Sequence, residues 1–578
     1  MFSWGKKQTR LDHWDGRRRS TRREPPLIPS IWHKPLFARL SIVFLAAGLI
    51  VALLSAHGPP FPYRFGSTLS HDFRARVSFS VPNEAYAAQQ EDFIEDAESG
   101  RVSASPPLDE YPAGAILIKR GQRINVVKIA LLQAEHRAYL ASRSIFDHLS
   151  YLLSLTLIIF LLTGLLILYA IRFHTAMAQS LRQIVGVSLV VLVTLVLAML
   201  MSRPPWDAGT IPLTFMAMVL AFAYNSPFAL LLSFCMAIVM SISAGTGLNH
   251  MLILAGGLAT AVLVMGTIRS RTRPVQVAGV AGVAFLSLTV ATGMIDEQPT
   301  RLILFDGIRY FVWSVLAGFI LSGSLPFVER CFGVMSDATL LELADGSHPL
   351  MQELVKRAPG TYTHSMTVAT LAEAAAECIG ANPLLVRVGS YFHDIGKMLK
   401  PHYFIENQTD ENRHDNLEPA LSTLVIVGHV KDGVALGEEY GLPTVLIDFI
   451  QQHHGTTLVE YFYREALRIQ EEQGHDHCEL EYNFRYPGPK PQTREASILM
   501  LADCVESASR ALSTPNPNTL RKLVHEMSMK RLLDGQFDES GLTLTELRQI
   551  EESLSKSLIA VFHARIRYTK EEEERQVG

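Results

Sequence analysis

"GSYFHDIGK", residues 389–397, sets an adjacent His393 and Asp394 inside an apolar, helix-like run, and the kind of domain that surrounds it depends on how this pair is read. The dipeptide alone decides nothing, because His-Asp recurs at His71-Asp72, His414-Asp415 and His475-Asp476. Its meaning comes from the residues at a distance. From residue 335 onward the pattern is helix, turn, helix, with no sustained alternation for strands. "PGTYTHSMTVATLAEAAAECIG" (359–380) opens on Pro-Gly, runs Ala-rich and stops at Gly380, and "PLLVRVGSYFHDIGKM" (383–398) begins another helix. Along this series His364 stands near one helix start and His393 and Asp394 lie within the next helix. His429 follows in "LVIVGHVKDG", His453 and His454 in "VLIDFIQQHHG", and Asp503 in "ASILMLADCVESASR".

Asp503 has the most to explain. It follows "ILMLA" and precedes Cys504 and Val505, so helical spacing turns it toward apolar surroundings. An unpaired carboxylate there costs several kcal/mol or shifts its pKa. Arg510 is two turns away, and Glu506 is spaced i, i+4 to pair with it. That leaves a metal ion as the partner for Asp503. Adjacent helical residues point about 100° apart, so His393 and Asp394 do not readily face one ion from one direction. A carboxylate has two oxygens, however, and can bridge two ions. The expected arrangement is dinuclear: Asp394 lies between the metals, with His364, His393 and Asp503 on one side and His429, His453 and His454 on the other.

The order His364, His393-Asp394, His429, His453-His454, Asp503 resembles that of the HD-domain phosphohydrolases. The wider match in "APGTYTHS", "YFHDIGK", "YFIENQ", "GHVKDG" and "FRYPGPKPQTREA" is similar to the PgpH-type membrane phosphodiesterases of the 7TM-HD family. The resemblance covers about 335–515 in sequence and 150–334 in layout. It implies a bacterial inner-membrane enzyme whose cytosolic domain hydrolyses cyclic di-AMP to pApA with two transition-metal ions, iron or manganese. Two ions roughly 3.5–4 Å apart activate water near neutral pH and clamp phosphate oxygens, and mixed imidazole and carboxylate ligation suits Fe, Mn or Zn. Lys397, close after His393, is the expected neutraliser of phosphoryl charge. Asn407, Arg413 and Arg510 are the remaining candidate substrate contacts. "HHGTTLVEYFY" lacks the Gly-Tyr-Pro continuation of cyclic di-GMP-cleaving relatives, which makes that dinucleotide the secondary choice. The competing reading from another class is a receptor whose HD domain binds a cyclic dinucleotide without turnover; an intact ligand set argues against it.

Outward from this domain the chain changes character. Only 19% of its 578 residues are charged, and the apolar excess concentrates between about 40 and 330. Eight stretches approach the roughly 20 apolar residues a bilayer helix needs: about 40–56, 149–171, 183–201, 211–224, 227–245, 250–268, 275–294 and 309–328. Residues 1–39 carry ten Lys and Arg against three acids, a tail that favours a cytoplasmic N-terminus. Arg172 and Arg182 then fall on one inner loop and Arg269, Arg271 and Arg273 on another, while Asp296, Glu297 and Asp306 fall on an outer one. The spans hold almost no ionisable residues in their interiors, which disfavours an ion-coupled transporter. A net charge of -4 gives no case for a nucleic-acid polymer as partner. None of the five cysteines lies in 57–147, so no disulfide framework is suggested.

The expected fold is mainly α, with a polytopic α-helical membrane domain, an all-α cytosolic HD domain and a small α+β extracytoplasmic segment. The expected division is a basic tail (1–39), a first span (40–56), the outer segment (57–147), seven spans (149–330), a connector (331–350), the HD domain (351–565) and a charged tail (566–578). In the outer segment "ARVSFSVP" and "AGAILIKRGQRI" read as strands and "NVVKIALLQAEHRAYLAS" as a helix. That segment is smaller than the family's usual extracytoplasmic region, which puts ligand sensing by it in question. "GHDHCE", beginning at Gly474, reads as a surface loop and "KEEEERQVG" as a solvated tail. The expected partners are cyclic di-AMP, the lipid bilayer, a second copy in a homodimer and an extracytoplasmic ligand.

Overall fold

The computed structural model describes residues 34–82, 108–203, 206–408, 412–473, 481–512 and 515–566. The N-terminal tail before residue 34, the "GHDHCE" loop and the closing acidic tail lie outside them. The described chain is mainly α-helical. It forms two compact units: residues 1–209, 235–251 and 296–299 make the first, and residues 210–234, 252–295 and 300–578 the second.

In the first unit the helix Lys34–His57 packs against Ile145–Phe173 and Leu181–Met201. The helix Ile145–Phe173 starts at a capping box in which the Ser144 hydroxyl accepts from the Asp147 amide and the Asp147 carboxylate accepts from the Ser144 amide. Between the first two of these helices lies a small α/β module. Its strands Phe73–Arg74 and Ile116–Ile118 pair antiparallel, as do Phe79–Pro82 and Leu108–Tyr111, and the helix Val126–Ser142 follows. The two expected strands are therefore present in part, but each pairs with a two- to four-residue strand that alternation did not mark. Ile118, Ile124 and Leu132 form the module's core, against Phe61, Tyr63 and Phe73.

The second unit begins with helices rich in small residues. Gly282 lies so close to Phe311, and Gly318 to Ala278, that an added Cβ would overlap them, while the Ser314 hydroxyl donates to the Ala278 carbonyl at 2.7 Å. Such contacts let helix backbones approach closely where hydrophobicity alone gives no association. Helices long and apolar enough to cross a membrane are Phe37–Ala56, Ile145–Phe173, Leu181–Met201, Ser226–Ala244, Leu248–Met265, Arg273–Ile295, Thr300–Phe332 and Pro419–Glu439. Thr210–Ala223 is apolar but shorter, with 14 residues. Pro419–Glu439 owes its apolar content to a different cause: its inward face, with Ser422, His429, Val430 and Gly433, is buried in the helical domain that follows.

That domain contains the helices Pro349–Arg357, Pro359–Cys378, Pro383–Phe392, Pro419–Glu439, Thr444–Gln452, Arg494–Arg510, Pro517–Leu533 and Leu544–Ile566. Four of the first five start on proline at the first helical turn, where its missing N–H costs nothing. Two apolar clusters hold it together. One joins Val368, Leu371, Ile498, Leu501 and Val505 to the last two helices, and the other joins Leu340, Leu354, Phe392, Ile395 and Ile450.

The expected helix across "PLLVRVGSYFHDIGKM" ends early. Its last residue is Phe392, His393 caps it, and Asp394 at φ -111°, ψ 14° turns the chain into a 3-10 segment, Ile395–Leu399. Phe392 and Ile395, both fully buried, anchor the turn from either side. Gly396 allows the turn to close on its neighbour: a Cβ there would lie 1.9 Å from the His429 carbonyl oxygen and 2.5 Å from the Gly433 amide.

Candidate metal centre

The broken helix removes the constraint that adjacent residues diverge. His393 Nε2 lies 3.2 Å from Asp394 Oδ2, so both side chains converge on one place. Around that same oxygen stands His364 Nε2 at 3.6 Å, and Asp503 Oδ1 lies 3.0 Å from His364 Nε2 and 3.9 Å from His393 Nε2. The other oxygen, Asp394 Oδ1, faces His429 Nε2 at 3.3 Å and His453 Nε2 at 3.5 Å. Two groups able to hold an ion result, sharing Asp394: His364, His393, Asp394 and Asp503, and Asp394, His429, His453 and His454. All are buried except His454, which is partly exposed.

The imidazoles are oriented from behind. Nδ1 of His393 meets the Ser390 carbonyl at 2.8 Å, Nδ1 of His429 the Ile426 carbonyl at 2.6 Å, and Nδ1 of His453 the Ile450 carbonyl at 2.8 Å. A carbonyl only accepts, so each Nδ1 carries a proton and Nε2 is the atom each ring turns toward the site. His364 Nδ1 is held instead by Glu506 Oε2 at 2.7 Å. This is how metal-ligating histidines are commonly fixed. His429 Nε2 and His453 Nε2 then face each other at 3.3 Å. Where both rings are neutral, two lone pairs at that distance repel unless a cation sits between them.

Charge supports the same conclusion. Both oxygens of Asp394, and Nε2 of His393, are buried without a hydrogen-bond partner. Lys397 Nζ comes within 2.7 Å of Oδ2, as an ion-pair contact outside hydrogen-bonding direction, and within 3.1 Å of Glu406 Oε1. Burial would raise the Asp394 pKa, but His393, Lys397 and His429 hold it well below the usual carboxylate range. Burial would likewise lower that of His364, yet its hydrogen bonds to Asp503 and Glu506 push it up to about 10. With no cation in place, a proton is therefore retained on His364 between carboxylates. His453 and His454 are lowered by burial and stay neutral near pH 7, as ligands must. The donor set fits divalent cations.

The other candidates have different partners. Asn407 Oδ1 accepts from the amides of Gly360 at 2.9 Å and Thr361 at 3.3 Å, capping the helix that carries His364. Arg510 donates through Nε to Glu506 Oε1 at 2.8 Å and is thereby tied behind His364. Arg413 is exposed, its guanidinium 5.8 Å from the centre of the Tyr403 ring. The sequence reading missed Glu506 as the anchor of His364, Glu406 as the second partner of Lys397, and Tyr486 on the face of His454. Glu506 had a usable signal: a second carboxylate one turn after Asp503 on the same buried helix.

A family model described as "7TM receptor with intracellular HD hydrolase" matches residues 149–336, and one described as "HD domain" matches residues 361–508. The cyclic-di-AMP phosphodiesterase PgpH of Listeria monocytogenes serotype 1/2a (strain 10403S) is 33% identical over 513 residues, 86% of this chain and 68% of that protein. The chain belongs to the PgpH family of membrane HD-domain proteins. A second PgpH relative, the cyclic-di-AMP phosphodiesterase of Bacillus subtilis (strain 168), is 39% identical over 370 residues, 62% of this chain. The chain spans about half, 51%, of that relative's length. A crystal structure of the L. monocytogenes PgpH HD domain in complex with cyclic-di-AMP is 45% identical and covers 38% of this chain and 100% of that one, at a TM-score of 0.36.

Proposed function

We propose that this chain is a membrane-bound, dinuclear-metal phosphodiesterase that hydrolyses cyclic di-AMP to pApA. The observation that carries the reading is Asp394: a buried carboxylate with neither oxygen hydrogen-bonded, each facing imidazoles whose Nε2 atoms are locked in place. The substrate is taken from the PgpH relatives, which are named for it.

In this reading His364, His393 and Asp503 would hold one iron or manganese ion and His429, His453 and His454 the other, with Asp394 offering one oxygen to each group. Such ions would supply Lewis acidity toward phosphate oxygens and lower the pKa of water. The chain's own residues do the rest. The Nδ1 anchors keep four of the five rings, those of His364, His393, His429 and His453, from re-orienting as charge changes with each turnover, and burial keeps the site's dielectric low, so that fixed charges act strongly. Lys397, held between Asp394 and Glu406, presents its ammonium where charge builds on the phosphoryl oxygens. Arg413, exposed beside Tyr403, remains a candidate contact for the dinucleotide, while Asn407 caps the helix bearing His364 and Arg510 bonds Glu506 behind it.

We place the HD domain (351–565) on the cytoplasmic face of the bacterial inner membrane, with spans at 40–56 and within 149–330 and the module at 57–147 outside. The arginines at 172, 182, 269, 271 and 273 support that orientation. The test uses the full chain in detergent, loaded with Mn or Fe and offered a panel of cyclic dinucleotides. Hydrolysis of cyclic di-AMP to pApA, lost in Asp394→Asn, is expected. Cleavage of another cyclic dinucleotide with cyclic di-AMP left intact refutes the substrate, and elemental analysis finding no bound transition ion in the loaded wild type refutes the metal centre.

A further inference from the structure

His454 differs from the other candidate ligands. It lies beyond the end of its helix, Thr444–Gln452, in a turn that includes Gly455 at φ +53°. Its ring has no Nδ1 anchor: the nearest carboxylate oxygen, Asp503 Oδ2, is 3.8 Å from Nδ1, beyond hydrogen-bond reach. Of the five histidines it is also the most exposed, at 22% of its side chain.

Something else must hold its plane. The Tyr486 ring lies over the His454 imidazole with centroids 4.3 Å apart and planes inclined by 32°. The His453 ring also sits beside it, with centroids 4.0 Å apart and planes inclined by 45°. Tyr486 is itself fixed by backbone: its amide donates to the Thr457 carbonyl at 3.0 Å, next to a bridge between Leu458 and Arg485. The Thr457 amide and hydroxyl both donate back to the His454 carbonyl, at 3.1 and 2.8 Å. The turn bearing the ligand and the loop bearing the tyrosine are thus stitched together, ring over ring.

We infer that Tyr486 is a positioning residue for the second ion: its ring, by stacking on His454, does for that ligand what an Nδ1 hydrogen bond does for the other four. The inference rests on the dinuclear reading above and adds a residue to it. It acts through the ring face and needs no contribution from the hydroxyl. Supporting groups behind metal ligands typically change affinity by about 10–100-fold when removed, and here the change falls on the ion held by His429, His453 and His454 alone.

The experiment is chelator competition with elemental analysis on the full-length protein loaded with Mn, comparing wild type, Tyr486→Leu, Tyr486→Met and Tyr486→Phe. The two truncations are expected to weaken one of the two ions by about tenfold or more and leave the other unchanged; Phe is expected to behave as wild type. Two ions held as tightly as in wild type by either truncation, equal weakening of both ions, or loss of an ion in Tyr486→Phe each overturns the inference. If the leucine variant fails to fold, the methionine variant and the Phe result decide. A wild type that binds no metal brings down the proposed function itself; a wild type with two ions and an unaffected truncation brings down only the role of Tyr486.

Discussion

Two buried carboxylates, one in each unit, have opposite fates. Glu135, in the small module of the first unit, is fully buried and accepts three hydrogen bonds from Arg76, from its amide at 2.9 Å, Nε at 3.0 Å and a terminal nitrogen at 2.8 Å. Asp394, in the second unit, is just as buried and accepts none. Arg76 also lies over the Tyr139 ring, 3.8 Å from its centre, so Glu135's counter-charge is part of the local packing. Around Asp394 the chain supplies four imidazoles, that of His364 protonated between carboxylates, and one lysine shared with Glu406. A carboxylate hydrogen-bonded by its own fold is structural, and one that pairs with charge yet accepts no hydrogen bond among converging imidazoles is placed to take a metal cation.

The strongest break in that comparison is Asp394→Asn. It preserves shape but removes the shared charge, and it should eliminate both ions and lower phosphodiesterase activity by about a thousandfold or more, the scale of losing a group that stabilises charge in the transition state. Elemental analysis and initial rates measure it, while the cation-free protein should unfold at a lower temperature than wild type, because the ionised carboxylate pairs with Lys397 and its lowered pKa marks a charge that the fold stabilises. Next is Gly396→Ala. With a Cβ 1.9 Å from the His429 carbonyl oxygen, the Asp394 turn and the His429 helix must separate. Overpacking of this kind costs about 1–3 kcal/mol, and since both neighbours are backbone the upper end is expected. Chemical denaturation reads the stability, and weaker Mn binding should accompany it because the two ligands move apart.

The convergence of these His and Asp residues was legible from their recurrence along one helical domain, and most clearly from Asp503, which interrupts an apolar pattern after "ILMLA" with a group that cannot be buried alone. The break at His393 was not. Phe392, Ile395 and Met398 keep a helix-like spacing of three across the break, and the turn closes where Gly396 meets the distant His429 carbonyl, which is a tertiary cause. The same limit hid the strand partners of the outer module. Leu108–Tyr111 carries two acidic residues and looks like loop, yet it pairs from Phe79↔Tyr111 to Pro82↔Leu108. The capping role of Asn407 was hidden for a related reason: its partners, the amides of Gly360 and Thr361, lie 47 and 46 residues earlier and meet it only in three dimensions. Composition also gives Pro419–Glu439 the hydropathy of a span, because a helix buried among other helices and one buried in lipid have similar content.

A milder test takes the satisfied carboxylate. Glu135→Gln keeps the shape and removes the charge, leaving metal content and hydrolysis as in wild type. Charge-assisted hydrogen bonds contribute about 1.5–3 kcal/mol; with Arg76 37% exposed and free to re-solvate, about 1–2 kcal/mol is expected. Hydrogen exchange along Val126–Ser142 in the full chain should quicken about tenfold for each 1.4 kcal/mol lost. The pH dependence has a definite sign. Burial tends to raise the Glu135 pKa, but the Arg76 hydrogen bonds bring it below its ordinary value. Its stabilisation is therefore complete above the unfolded value of about 4.3 and is lost as pH falls through the lower folded value. Glu135→Gln should abolish that acid-side loss, and a variant that kept it would assign the transition to another carboxylate.

The smallest effect separates a residue that belongs to the site from one that stands behind it. Arg510 bonds Glu506, and Glu506 bonds His364, so the guanidinium is two steps from any ion. Its side chain is 40% exposed while that of Glu506 is 5% exposed, and with the guanidinium screened by solvent the pair is worth about 1 kcal/mol. Arg510→Gln should lower stability by no more than that and change kcat/KM by less than about fivefold, the factor that 1 kcal/mol allows. A substrate-contacting arginine would behave differently: losing a charged hydrogen bond to a phosphate costs about 1.5–3 kcal/mol and would appear as a raised KM with metal affinity untouched. If Arg510→Gln instead weakens metal binding while KM holds, the chain from Arg510 through Glu506 to His364 is the cause, and Glu506→Gln should then reproduce the change more strongly.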